Sequence, residues 1–248
     1  MLVHDLEKVI GQLLETDRFR DYCPNGLQVE GRREVRRIVG GVSASLELLK
    51  AAHQAGADTV LVHHGYFWKG EDARIVGIKK ARLEWLLRHD LNLLAYHLPL
   101  DAHPQLGNNA QLASRLGLEI EGWFGEQNIA AYGRLLDPAS LGQWTEKISA
   151  ALGRQPLVLG DPNQTIRRVA WCSGGAQGYF EDALQLGVDV YLTGEVSEQH
   201  YHLARETGKA FVCAGHHATE RYGVQALGGY LAAQCGVDFE YLEIANPI

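Results

Sequence analysis

Five residues of this 248-residue chain have the types and spacing of ligands for a pair of metal ions: His63, His64, Asp101, His216 and Glu220. His97 shares their pattern. Adjacent histidines ending a buried strand are unusual, because strand geometry sends neighbouring side chains to opposite faces and would aim one imidazole at the core. Gly65 directly after them lets the chain leave strand geometry, so both rings can approach one centre or two neighbouring centres. His216-His217-Ala218-Thr219-Glu220 reads as the start of a helix, and a separation of four puts His216 and Glu220 on one face. In His97-Leu98-Pro99-Leu100-Asp101 the proline disfavours helix at Leu98, so Asp101 is expected to reach the site from an extended turn. His97 reads equally well as the counterpart of His216 or as a group that orients Asp101 or a bound water from outside the ligand set.

Imidazole nitrogens combined with carboxylate oxygens suit zinc, iron, manganese, cobalt or nickel, whereas magnesium and calcium prefer oxygen cages. The residue types leave the metal open. Two divalent cations about 3.5–4 Å apart, bridged by a carboxylate such as Glu220, would lower the pKa of a shared water and hold a nucleophilic hydroxide. The remaining histidines, His4, His53, His89, His103, His200, His202 and His217, are read as surface or packing residues. Ser173-Gly174-Gly175-Ala176-Gln177-Gly178 is a glycine-rich turn whose amides could receive a phosphate. It lacks the dinucleotide spacing and the terminal Lys-Ser/Thr of a P-loop, so a tight turn is the better reading. Glu195, beside Gly194 at another strand end, is a further candidate for a supporting role.

These residues need strand ends to carry them, and the pattern supplies alternating strands and helices throughout, the mark of α/β layers with mainly parallel strands. Strands are expected over 36–42, 59–62 and 91–96, with helices over 45–54, 82–89 and 109–116. The second half repeats the order, with strands over 167–172, 188–192 and 210–214 and helices over 181–186 and 197–206. Val188-Asp189-Val190-Tyr191-Leu192 matches Ala57-Asp58-Thr59-Val60-Leu61, and the His216 to Glu220 spacing reproduces that of His97 to Asp101. Two related α/β lobes, 1–124 and 125–248, are therefore expected from internal duplication, with the metal site between them. Between the halves, 124–165 shows one clear helix over 141–152 and a short strand at 156–159. In open α/β sheets ligands sit outside the carboxyl ends of the strands, where His63, His64, His97, Glu195 and His216 all fall.

At 46% hydrophobic the chain can bury a sizeable core, and its net charge of −7, from 30 acidic and 23 basic side chains, gives no basic face for a nucleic-acid backbone. The N-terminus lacks the positive region and apolar stretch of a signal peptide, and no long apolar run follows, so a cytoplasmic location without membrane contact is expected. Cys23, Cys172, Cys213 and Cys235 share no metal or redox spacing and read as inert thiols.

Taken together, the segments Pro24-Asn25-Gly26-Leu27-Gln28-Val29-Glu30-Gly31, Val62-His63-His64-Gly65-Tyr66-Phe67-Trp68, His97-Leu98-Pro99-Leu100-Asp101-Ala102-His103, Thr193-Gly194-Glu195-Val196-Ser197-Glu198-Gln199 and Gly215-His216-His217-Ala218-Thr219-Glu220-Arg221 resemble the Nif-three-like family of dinuclear metal proteins. The likeness is strongest to its short bacterial YbgI type, also labelled GTP cyclohydrolase I type 2 homologues. The resemblance implies a two-lobed subunit, a ring-like homohexamer, two divalent metal ions per chain held by His63, His64, Asp101, His216 and Glu220, and Glu220 as the bridge. It also implies a metal-dependent hydrolase acting on a nucleotide or related small heterocycle; with GTP such chemistry would open the imidazole ring and release formate. The rival reading is a non-catalytic metal-binding or metal-delivery protein linked to DNA damage or stress.

Overall fold

The computed structural model describes all 248 residues. Its first elements are α1 (Val3–Leu13), β1 (Gly26–Val29), β2 (Arg37–Ser43), α2 (Leu46–Gln54), β3 (Thr59–His64), α3 (Gly77–Arg88), β4 (Asn92–Ala95) and α4 (Leu98–Ala102). The start of α2 is set by Ser45, whose hydroxyl accepts from the Leu48 amide at 3.1 Å. The helix at α4 corrects the extended turn expected there. Pro99 occupies its first turn, where a missing amide proton costs no intrahelical bond, so the proline is compatible with helix and Asp101 rides on it.

The chain continues through α5 (Asn108–Leu116), β5 (Leu118–Phe124), β6 (Ala130–Ser140), α6 (Leu141–Leu152), β7 (Leu157–Leu159), β8 (Thr165–Trp171), α7 (Phe180–Gln185), β9 (Val190–Thr193), α8 (Glu198–Thr207), β10 (Ala210–Cys213), α9 (His216–Thr219), α10 (Arg221–Cys235) and β11 (Asp238–Tyr241). Helix α6 opens with a capping box in which Ser140 and Gln143 satisfy each other's amides, and closes on Gly153 in the left-handed region. Strand β6 was not legible in the sequence because its apolar alternation is weak and Pro138 interrupts it. Pairing with β8 shifts register between Arg134 and Ala139, the stretch that holds this proline.

Two compact units result, Met1–Leu100 with Gly223–Ala245, and Asp101–Tyr222 with Asn246–Ile248. The chain passes between these units after Leu100, after Tyr222 and after Ala245. In the first unit the sheet order is β1-β4-β3-β2-β11, with β11, β2, β3 and β4 mutually parallel and β1 antiparallel at the edge. Its core is built on Val39, Leu48, Leu49, Val60, Val62, Leu86 and Leu93, all essentially without exposure. The second unit's sheet, β5-β6-β8-β9-β10-β7, is mixed: β8, β9 and β10 run parallel, while β5, β6 and β7 pair antiparallel. Trp144, Trp171, Ile148 and Leu192 fill one of its faces, and Phe180, Tyr191 and Phe211 the other. In each sheet three successive strands stand side by side in parallel, β2-β3-β4 and β8-β9-β10, so their carboxyl ends open at one edge.

Candidate functional site

In the first unit, parallel pairing sets Val62 of β3 opposite Ala95 of β4, so the residues that follow, His63 and His97, leave neighbouring strand ends. The buried His63 donates from Nδ1 to the Tyr96 carbonyl at 2.9 Å. A carbonyl can only accept, so the proton is held on Nδ1 and the lone pair is left on Nε2, the tautomer a metal ligand needs. His64 Nδ1 lies 3.0 Å from the Ser43 hydroxyl, its register partner on β2. Although they are neighbours on a strand, the rings of His63 and His64 are only 4.6 Å apart, and His97 lies 5.1 and 5.8 Å from them. One nitrogen from each of the three falls within 4.8 Å of the others.

Gly65 is needed behind these rings. A Cβ there would collide with Gln28 Oε1 and Ala95 Cβ. Gln28 fastens the turn, accepting from the Tyr66 amide at 2.6 Å and donating to the Tyr66 and Pro24 carbonyls. His97 is backed in turn by Asp21, whose Oδ1 accepts from His97 Nδ1 at 2.7 Å, while Asn25 accepts from the His97 amide at 2.8 Å. Asp21 also accepts from Asn25 and from the Leu98 amide. Burial alone would raise the Asp21 carboxyl, but the hydrogen bond and charge of His97, with hydrogen bonds from Asn25 and the Tyr22 amide, outweigh it and hold the group below its ordinary value. Cys23 also lies close to Asp21 and His97, but burial, reinforced by the Asp21 charge, pushes its thiol up to about 12, so it is a neutral thiol at pH 7.

In the second unit Asp101 is buried, and two side-chain donors fall on its Oδ1: the Ser173 hydroxyl at 2.8 Å and Asn108 Nδ2 at 2.9 Å. Ser173 is placed by Asn109, which accepts from its amide at 2.9 Å and is itself held through the Trp171 indole at 3.0 Å. His216 donates from Nδ1 to Glu195 Oε1 at 2.6 Å, and its Nε2 lies 3.1 Å from Glu220 Oε2. Burial disfavours the imidazolium, yet the hydrogen bonds and charges of Glu220 and Glu195 more than offset this and push His216 up to about 9. Oxygens of Asp101 and Glu220 come within 4.8 Å of each other.

The glycine-rich turn after β8 is spent on this arrangement. Its Ser173, Gly174 and Ala176 amides donate to Asn109, Thr219 and Thr193, so they do not form a phosphate cradle. Gly174 has φ of +66°, and a Cβ on it would strike Glu220 Oε1 and crowd His216 Nε2. Only glycine lets the turn lie this close to the carboxylate and imidazole. His200 stacks on Phe211 and accepts from the Ser197 amide at 3.0 Å.

Each unit therefore carries its own donor set, His63, His64 and His97 in one and Asp101, His216 and Glu220 in the other. The set of His63, His64 and His97 could by itself hold a metal ion. The mixture of imidazole and carboxylate fits a borderline divalent cation, and the Nδ1 partners Tyr96 and Glu195 are the kind that orient metal-binding histidines. Sequence reading missed the part that Asp21, Asn25, Asn108, Asn109 and Ser173 play in positioning these donors. Asn25 stands inside a recognised motif, but nothing local reveals that it bonds an amide 72 residues away.

Residues 1–247 match the Duf34/NIF3 (NGG1p interacting factor 3) family. The chain belongs to that family. It is 57% identical over 237 residues to a Pseudomonas aeruginosa protein named GTP cyclohydrolase 1 type 2 homolog, covering 94% of each chain. A solved structure described as protein ybgI, of unknown function, is 49% identical, with a TM-score of 0.97 and full coverage of both chains. A second, from Thermus thermophilus, is 34% identical at a TM-score of 0.90, again with both chains fully covered. No helix is long and apolar enough to cross a membrane.

Proposed function

We propose that this Duf34/NIF3 protein binds two divalent metal ions through His63, His64, Asp101, His216 and Glu220, with Glu220 as the bridge, and uses them as a hydrolase on a nucleotide or related small heterocycle. The observation that carries this is the backing of the histidines: Nδ1 of His63 is held by a carbonyl and Nδ1 of His216 by a carboxylate, the partners that orient imidazoles as metal ligands. Bound divalent cations supply Lewis acidity and lower the pKa of water. The chain's own residues orient the donors: Ser173 and Asn108 hold one oxygen of Asp101, Glu195 holds His216, and Asp21 holds His97 beside His63 and His64. The substrate class follows from the name that the Pseudomonas relative carries.

Metal analysis of protein purified without added metal is the first test, with two equivalents per chain expected and loss expected in Glu220→Gln and His216→Ala. Formate release from GTP, and turnover of a panel of nucleotides and phosphoesters, is the second. A metal-free wild-type chain sinks the metal reading. Two tightly held metals with no turnover on any substrate sink the hydrolase reading, and rapid metal exchange in that case favours metal delivery. A homohexamer in the cytoplasm is part of the same proposal, and light scattering of the purified protein tests the assembly.

A further inference from the structure

Beside the histidines of the first unit stand two aromatic side chains that neither the core nor the proposed ligand set uses. Tyr22 is 54% exposed, its ring 6.4 Å from that of His97. Trp68 is half-buried, 5.0 Å from His97 and nearly perpendicular to it, and 6.0 Å from His64. The backbone is arranged to keep them there. Between His64 and Trp68 the chain passes through Phe67, which has a φ of +64°, a left-handed conformation rare for an aromatic residue and typical of sites under functional constraint. Phe67 is retained by packing on the core and by the Lys79 ammonium 5.4 Å from its ring centre. Gln28 clamps Tyr66 from the other side, and the Lys69 amide donates to the Tyr22 carbonyl at 2.6 Å, tying the Tyr22 segment to the Trp68 segment. The indole N–H of Trp68 is spent on the Gly65 carbonyl at 3.2 Å.

We infer that Trp68 and Tyr22 form a stacking ledge that binds the flat heteroaromatic ring of the substrate next to His64 and His97. With its N–H committed, Trp68 offers a ligand ring surface rather than a hydrogen bond, and the exposed Tyr22, also against His97, adds a second ring. Ring faces of this kind take any flat base and reject a bare sugar phosphate. The inference deepens the hydrolase reading by naming what the site recognises, and rests on it for the presence of a substrate.

Binding of adenosine, guanosine, cytidine and uridine to the metal-loaded full-length protein is measured by calorimetry, with ribose 5-phosphate as the ring-free control. At least one nucleoside should bind well above the control. Trp68→Ala should weaken it about tenfold, Tyr22→Ala should weaken it less, and Trp68→Phe should restore most of it, all with unchanged metal content. Nucleoside binding that survives Trp68→Ala and Tyr22→Ala in metal-loaded protein overturns the ledge, as does equal binding of ribose 5-phosphate or no nucleoside binding by the wild type. Ring binding that follows these substitutions in a protein without turnover leaves the ledge standing while the hydrolase reading falls. Metal loss in the wild type fails the metal reading instead.

Discussion

At the scale of single residues, the donors depend on partners that never touch a metal. Glu195→Gln keeps the size of the side chain but removes the charge that holds His216 Nδ1–H, and metal affinity should fall about 10- to 100-fold with the fold intact, read by competition with a chromogenic chelator. Gly174→Ala should be more severe than its size suggests, because the new methyl meets the Glu220 carboxylate and the backbone is left-handed there. Loss of tight metal binding with near-normal circular dichroism is the expected outcome. Asp21 makes a pH prediction. Its folded pKa is depressed, so its stabilisation is fully present above the ordinary aspartate value of about 4 and is lost as pH falls through the folded value. Asp21→Asn should therefore cost about 2 kcal/mol near neutral pH, the scale of a charge-assisted hydrogen bond. The gap between wild-type and variant denaturation midpoints should close as the pH drops below about 4.

At the scale of elements, what matters is which ends deliver the donors. Strands β3 and β4 are parallel neighbours, so His63 and His97 emerge at adjacent carboxyl ends, and α9 follows Gly215, whose φ of +100° turns the chain from β10 into the helix carrying His216. Helix α6 tests a cap far from the donors. Ser140→Ala removes the side-chain acceptor of its capping box and should lower the thermal midpoint by about 2–4 °C, matching a loss of about 1 kcal/mol in a chain of this length, without changing metal content. Most helices and strands were legible because each has a local signature: apolar period, capping serine, closing glycine. Helix α6 spans the expected residues and α5 begins one residue early. Strands β5 and β6 were missed because their stability comes from pairing with each other and with β8 rather than from their own pattern. The short helix α4 was misread because the proline rule was applied to Leu98 without asking whether Pro99 stood in a first turn, where it is tolerated.

At the scale of the whole molecule, the chain crosses between its two compact units three times, after Leu100, Tyr222 and Ala245. Metal that binds the folded chain in preference to the unfolded one must raise stability in proportion to the logarithm of its concentration above Kd, about 2.7 kcal/mol at a hundredfold excess. Stripping metal with a chelator should lower the thermal midpoint by several degrees, and adding back the native ion should restore it; an unchanged midpoint would count against the proposed ligands. The amino-acid sequence alone determined the family, the α/β class and the identity of the candidate donors, because donor chemistry, caps and turns are written in residue types at short spacing. The tertiary structure alone decided what holds those donors. The bonds of Asp21 to His97 and of Ser173 to Asp101 join residues 76 and 72 positions apart, and the place of β11 beside β2 sets Asp238 opposite Arg37. No periodicity reaches across such separations, since these pairs are set by how sheets pair and pack, so the opening pattern of five residues acquired its supporting partners only in the folded chain.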